Sequence, residues 1–432
     1  MDDTEISFDS IYCIAEESWK GREQEAHATE LLKYYLQWCP NRAKAWMIYG
    51  DSLRVIGRSD EAYSALTKAY DKCREKEHAG EGQVASSIAS LIEQYKSPEE
   101  AKKWYQIAAD AFGNCVGWIW VMRGINLAIL SEFEESAKCF KTVIQSQTEE
   151  RDEAFVYLGR VYRAMGRYKE AIDCFQQALA INALHKEAKG MLIGIEGINE
   201  TLNMIHKTKL GEISHDELYN VAKEAWHEEE RELHVVELLR YYLRFYPENI
   251  QAQMMYGDAL RCLWKSNEAY SVLTQAFGIC QQNQLKGDIA IIIAKLVSKH
   301  VSPQKAKKWY DLACELLPSA SFLWMYRGVN LAVLGEFDKA KECYDTVIQM
   351  HDELEDEARL NLGLVYRAMA KYDEAIDCFR QALVINPTYK EAQDVLHGLE
   401  GIHDTLELIE KHKQQNEQGS EREEDGPGRQ RK

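Results

Sequence analysis

His227 and His234 bracket the stretch HEEERELH, the place where this chain comes nearest to spelling out metal chemistry. That spacing puts both imidazoles on one face of a helix but two turns apart, about 10.5 Å along its axis. The gap is too wide for one ion without further ligands, and the i, i+4 histidine pair of a zinc protease is absent. The expectation is a solvated, charged helix face. No GxxxxGK[ST] phosphate cradle, GxGxxG turn or GxSxG elbow occurs, so no enzyme activity, cofactor or metal is expected. The 11 cysteines are scattered without a C-x-x-C pair, and Cys73, Cys139 and Cys174 return as Cys280, Cys343 and Cys378 beside apolar residues. They read as buried thiols in a reducing compartment. Arginine is more informative. Arg123 and Arg327 stand at equivalent packing positions, where a charge is costly unless paired, and Asp110 and Glu315 offer acids.

The elements that position these residues must be helical. Hydrophobic residues make up 46% of the 432 and aromatics 10%, enough for a sizeable core, while only 7 prolines occur. A formal charge of −18 argues against a general phosphate-binding surface and against docking on an anionic leaflet. No run approaches the length of a membrane span, and MDDTEISFDS lacks the basic and apolar regions of a signal peptide. A cytoplasmic protein is expected, with no nucleic acid and no membrane among its partners.

The stretch YRAMGRYKEAIDCFQQALAIN from Tyr162 is repeated, at 16 of 21 positions, as YRAMAKYDEAIDCFRQALVIN from Tyr366. Counted from Asp152, Phe155, Leu158, Gly159, Tyr162, Ala171, Phe175 and Ala178 fall at positions 4, 7, 8, 11, 20, 24 and 27. The copy from Asp356 adds Pro387 at its end. This pattern resembles the tetratricopeptide repeat, a helix–turn–helix unit of about 34 residues. Looser copies carry Trp120, Gly124 and Phe140; Trp324, Gly328 and Tyr344; and Gly50 and Ala62, matched by Gly257 and Ala269. The resemblance implies an all-α fold, an α-α superhelix or solenoid of about ten helix pairs in which neighbours stack to bury apolar stripes.

The copies group into a duplicated block of five repeats. The expected domains are a first block over 1–207, a second over 208–413, and a charged, aperiodic tail over 414–432 that reads as disordered. Each block ends in an added amphipathic segment, from Lys186 and from Lys390, suited to cap a solenoid. The first cap either continues the superhelix or separates two halves near residues 206–217. Gly190, Gly194, Gly197 and Gly211 incline the reading towards a joint.

In the resembled family, partner peptides lie in a concave groove lined by the first helix of each repeat. Carried across by position, that groove would present Asp51, Arg54, Arg160, Arg163, Asp258, Arg261 and Arg367, with Leu364 where Arg160 has its counterpart. Arginine binds carboxylates bidentately, so the implied partner is a protein or extended, acidic peptide, and the implied role a scaffold or adaptor. Local pairs such as Asp51–Arg54 offer a purely structural reading of the same residues. The asparagine of chaperone-tail clamps is missing after the position-8 glycines, where Asp51, Ile125, Arg160, Asp258, Val329 and Leu364 stand. The other open reading is a structural subunit of an assembly, or a homodimer, joined through convex or end surfaces.

Overall fold

The computed structural model describes residues 7–21, 23–75, 80–113, 116–146, 148–228 and 230–424. Among them every regular element is an α-helix. Five pairs come first: α1 (Phe8–Lys20) with α2 (Glu25–Trp38), α3 (Ala43–Val55) with α4 (Ser59–Glu75), α5 (Glu81–Tyr95) with α6 (Pro98–Phe112), α7 (Gly117–Ile129) with α8 (Phe133–Ser146), and α9 (Arg151–Ala164) with α10 (Tyr168–Ile181). The first cap follows as α11 (Lys186–Ile195) and α12 (Ile198–Lys209). Five further pairs are α13 (His215–Trp226) with α14 (Glu232–Tyr242), α15 (Ile250–Cys262) with α16 (Ser266–Ile279), α17 (Asn283–His300) with α18 (Pro303–Leu316), α19 (Ser321–Val333) with α20 (Phe337–Met350), and α21 (Glu355–Ala368) with α22 (Tyr372–Ile385). The second cap is α23 (Lys390–His397) and α24 (Ile402–Glu424).

Local chemistry explains these pairs. A Cβ at Gly159 would lie 2.5 Å from the Phe175 ring, so the position-8 glycine makes room for the position-24 aromatic across the pair. Helix starts follow their capping signals. Ser97 Oγ accepts from the Glu100 amide at 3.1 Å and donates to its carboxylate at 3.2 Å, a hydroxyl–carboxylate bond in place of the reciprocal backbone bond of a capping box, and Ser302 Oγ accepts from the Lys305 amide at 3.2 Å. Proline occupies the first helical position in both cases. The six recurring cysteines are all buried.

Three expectations change. Each cap is two helices, broken where Gly197 and Gly401 take φ of +80° and +75°. HEEERELH is no continuous helix face, because α13 stops at Trp226, α14 starts at Glu232, and His234 is buried. Finally, α24 continues to Glu424, past the point where the periodicity fades; residues 425–432 lie outside the described residues.

The chain divides into two compact units that do not coincide with the sequence blocks. One comprises Ile88–Asn330 and the other Met1–Ser87 together with Leu331–Lys432. In the first, a single apolar core runs from Val121 to Leu323 and includes Ile205, Leu218 and Ala222, on both sides of the expected joint. That junction is therefore packed inside one unit. In the second, Ala26 of α2 joins Leu360, Phe379, Val395 and Ile402 in a core drawn from both ends of the chain.

Candidate functional site

The two arginines shared by the repeated stretch, Arg163 and Arg367, are only 3% and 5% exposed. Neither lines an open groove, which corrects the expectation for both. Arg163 Nη1 lies 3.8 Å from Glu230 and 4.0 Å from Glu232, and Arg367 Nη1 lies 3.5 Å from Glu23. Burial pushes each guanidinium down, and the facing carboxylates oppose that pressure. Each pair joins the last repeat of one block to the first repeat of the other.

The surrounding bonds repeat with it. Tyr168 donates to Glu237 at 3.0 Å, and Tyr372 to Glu30 at 2.7 Å. Thr201 bonds His234 at 2.7 Å, and Thr405 bonds His27 at 2.8 Å. A Cβ at Gly194 would collide with the Glu230 carbonyl oxygen, and one at Gly398 with that of Glu23. Both glutamates hold left-handed backbone, at φ of +63° and +62°. The first cap thus receives α14, and the second receives α2, through matching residues. Gly194 serves that close approach rather than a joint.

Of the remaining predicted residues Asp51 is also buried, at 9% exposed, while Arg54, Arg160, Asp258 and Arg261 keep contact with solvent; all are already paired. Arg54 Nε donates to Asp51 at 3.4 Å, and Ser87 Oγ donates to the other oxygen at 3.2 Å. Burial pushes the Asp51 carboxyl up, against Arg54 and Ser87. Arg261 grips Asp258 with two bonds of 2.7 and 2.9 Å. Arg160 donates to Glu187 at 2.7 Å while its guanidinium stacks 4.4 Å over the Trp264 ring. The position-7 arginines differ from expectation: Arg327 donates to Asp311 at 2.7 Å, whereas Arg123 lies 5.1 Å over Trp120 and Asp110 accepts from Gln106.

One cluster stands out in the Ile88–Asn330 unit. Arg160 on α9, Arg261 on α15 and Lys299 on α17 all sit on the first helices of their pairs. Lys299 reaches solvent but has no carboxylate within ion-pair distance among the described residues. Surrounding protein pushes its ammonium down, and Arg160 and Arg261 push it further, against Cys262 and the Glu93 carboxylate. Trp264, which fixes Arg160, holds a left-handed backbone at φ of +61° in the turn between α15 and α16.

The tetratricopeptide repeat family model matches residues 153–183 and 357–389, the two pairs α9–α10 and α21–α22. At these two pairs the chain carries tetratricopeptide repeats. A TPR repeat-containing protein of Methanocaldococcus jannaschii is 27% identical over 84 residues, 19% of this chain and 26% of that protein. The chain thus spans about a quarter of that relative's length. Among solved structures, PilF of Pseudomonas aeruginosa is 17% identical with a TM-score of 0.33, covering 57% of this chain and 96% of that one. YrrB, described as a TPR protein with an unusual peptide-binding site, is 15% identical with a TM-score of 0.31, covering 60% and 97%. Such repeats build protein-interaction scaffolds.

Lys299 and Trp264 are not evident from sequence because neither occupies a groove position of the repeat signature. The signal was a difference between the blocks: Trp264 stands where the first block has Gly57, and Arg160 where the second has Leu364. Among the described residues no group of three or more His, Cys, Asp or Glu could hold a metal ion, and no helix is long and apolar enough to cross a membrane.

Proposed function

We propose that the first-helix face of the Ile88–Asn330 unit binds an acidic, extended segment of a partner protein, making the chain an adaptor or assembly scaffold. The supporting observation is Lys299, an exposed ammonium that shares its field with Arg160 and Arg261, feels Glu93 but forms no ion pair among the described residues, in a chain of charge −18. Arg160 and Arg261 are fixed by Trp264 and Asp258, so a ligand carboxylate would meet donors that need little ordering. Asp51 and Arg54 form a weaker counterpart in the other unit, with Leu364 where a second arginine would stand.

Arg163 and Arg367 hold the fold, so the test leaves them in place. Arg160, Arg261 and Lys299 are replaced together by Gln, and partners recovered by affinity purification are titrated against both forms. Binding should weaken at least about tenfold, and the wild-type affinity should fall as salt rises. Equal binding by the triple variant, with its helical content intact, refutes the proposal. The sequence blocks 1–207 and 208–413 are proposed to be copies of one duplicated unit, which the matched contacts of Arg163 and Arg367 support. A cytoplasmic setting is likewise a proposal, supported by free thiols at all ten described cysteines.

A further inference from the structure

A cavity of about 490 Å³ opens in the Ile88–Asn330 unit where the α7–α8 turn meets α16, α17 and α18. Its volume falls within the range of ligand pockets. Leu130, Leu296, Val297 and Val301 make the walls apolar, and Tyr270 and Trp309 add aromatic rings. None of these residues belongs to the cationic cluster of Arg160, Arg261 and Lys299, although the cavity borders it: His300 follows Lys299, and Ser131 on the cavity wall donates to the Trp264 carbonyl oxygen at 3.3 Å.

Ser131, Ser266, Asn267 and Gln304 also line it, and the Trp309 indole N–H is buried without a partner among the described residues, but the titratable ring enclosed there is His300. His300 is 9% exposed and lines the cavity. Its Nδ1 lies 3.0 Å from the Ile129 carbonyl oxygen and 2.7 Å from Ser266 Oγ. A carbonyl oxygen only accepts, so Nδ1 carries the proton. Burial holds the ring down to about 4, so the imidazole is neutral at pH 7 and Nε2 is a bare acceptor. Nε2 has no partner among the described residues. An unpartnered acceptor on the wall of a largely apolar cavity favours an occupant that brings a donor on a largely apolar body, and a hydroxyl there could also accept from the Trp309 N–H.

The rim narrows the choice. Lys305 and Lys308 line the cavity, are exposed, and have no carboxylate within ion-pair distance among the described residues. Leucine or phenylalanine would fill the volume but leave His300 unmatched, and a free aliphatic ligand would ignore the lysines. We propose that the cavity receives the tryptophan or tyrosine side chain of an acidic segment in a partner protein, its N–H or O–H donated to His300 Nε2 and its flanking carboxylates set against Lys305 and Lys308. Tyr270 and Trp309 would flank the incoming ring, and the apolar walls would exclude water from the bond.

The test uses the full chain and the synthetic peptide Ac-Asp-Glu-Trp-Glu-Asp-NH2, titrated by calorimetry beside its Phe and Ala versions and N-acetyltryptophanamide. The Trp peptide should bind about tenfold more tightly than the Phe peptide. The Ala peptide should show no saturable binding at this site, and the amide alone should bind more weakly than the peptide. Gln304→Trp, an exposed substitution at the cavity mouth, should abolish the Trp dependence without disturbing the core. His300→Leu should erase the difference between the Trp and Phe peptides. Equal binding of those peptides to the wild type overturns the hydrogen bond to His300. Trp dependence that survives Gln304→Trp overturns the cavity as its seat, and an amide as tight as the peptide overturns the partner-protein occupant in favour of a free small molecule.

Discussion

At the scale of single residues, Arg163 and Arg367 show how a charge can look functional because it is structural. Each occupies a groove position of its repeat, yet the first repeat of the other block covers it and supplies the carboxylates. A buried guanidinium whose partner is removed costs more than the pair contributes. Arg163→Ala would leave Glu230 and Glu232 facing each other across vacated space, although both keep some water. We expect a loss of about 2–4 kcal/mol, read as a lowered urea midpoint for the Ile88–Asn330 unit. Arg163→Met with Glu230→Gln should recover part of it, because the desolvated charges go together. If Arg163→Ala shifts the midpoint no more than a surface Arg→Ala control, the arginine holds nothing and its assignment as a packing residue is wrong.

At the scale of elements, the repeat pattern made most of the helices legible and left their docking obscure. Phe175 and Gly159, or Phe379 and Gly363, write their pairing in residue size, and Ser97 and Ser302 write helix starts in capping chemistry. These are local interactions and survive in one sequence. The docking of α14 on the first cap depends on Gly194, which in sequence looks like a flexible point, and that of α2 on the second depends on Gly398, which the repeat pattern does not single out. Only the structure shows the Glu230 and Glu23 carbonyls lying against them. Gly190 supplies the contrast on the same helix α11, since a Cβ there would make ordinary contact at 3.6 Å with the Glu230 side chain. Gly194→Ala should destabilise by roughly 1–3 kcal/mol through overpacking. Gly190→Ala should be neutral or stabilise by about 0.5–1 kcal/mol through lost chain entropy. Hydrogen exchange should show α14 opening first in Gly194→Ala. Equal behaviour of the two alanines would remove the docking role given to Gly194.

At the scale of the whole molecule, the sequence blocks and the compact units are different partitions of one chain. The blocks follow duplicated letters, whereas the units follow contacts, and each unit takes the end of one block with the beginning of the other. Periodicity cannot reveal that pairing, because Arg367 and Glu23 meet across 344 residues. A single block nonetheless contains both halves of the docking contact: Glu23, His27 and Glu30 at its start, and Arg163, Tyr168, Gly194 and Thr201 at its end. In the intact chain these partners are tethered, at an effective concentration on the order of millimolar. An isolated fragment of residues 1–209 has no second block to satisfy either end, but another copy of itself offers the same residue types at the same positions. Two copies suffice, because two blocks satisfy both contacts in the full chain. We therefore expect the fragment to be a dimer at tens of micromolar by light scattering, an order of magnitude set by exchanged-element association. Arg163→Glu should make it monomeric by placing like charges where Arg163 would meet Glu23 of the second copy. A fragment that is helical and monomeric, with or without that substitution, would show that the two docking ends of one block do not match, and would take with it the view that the halves are interchangeable copies.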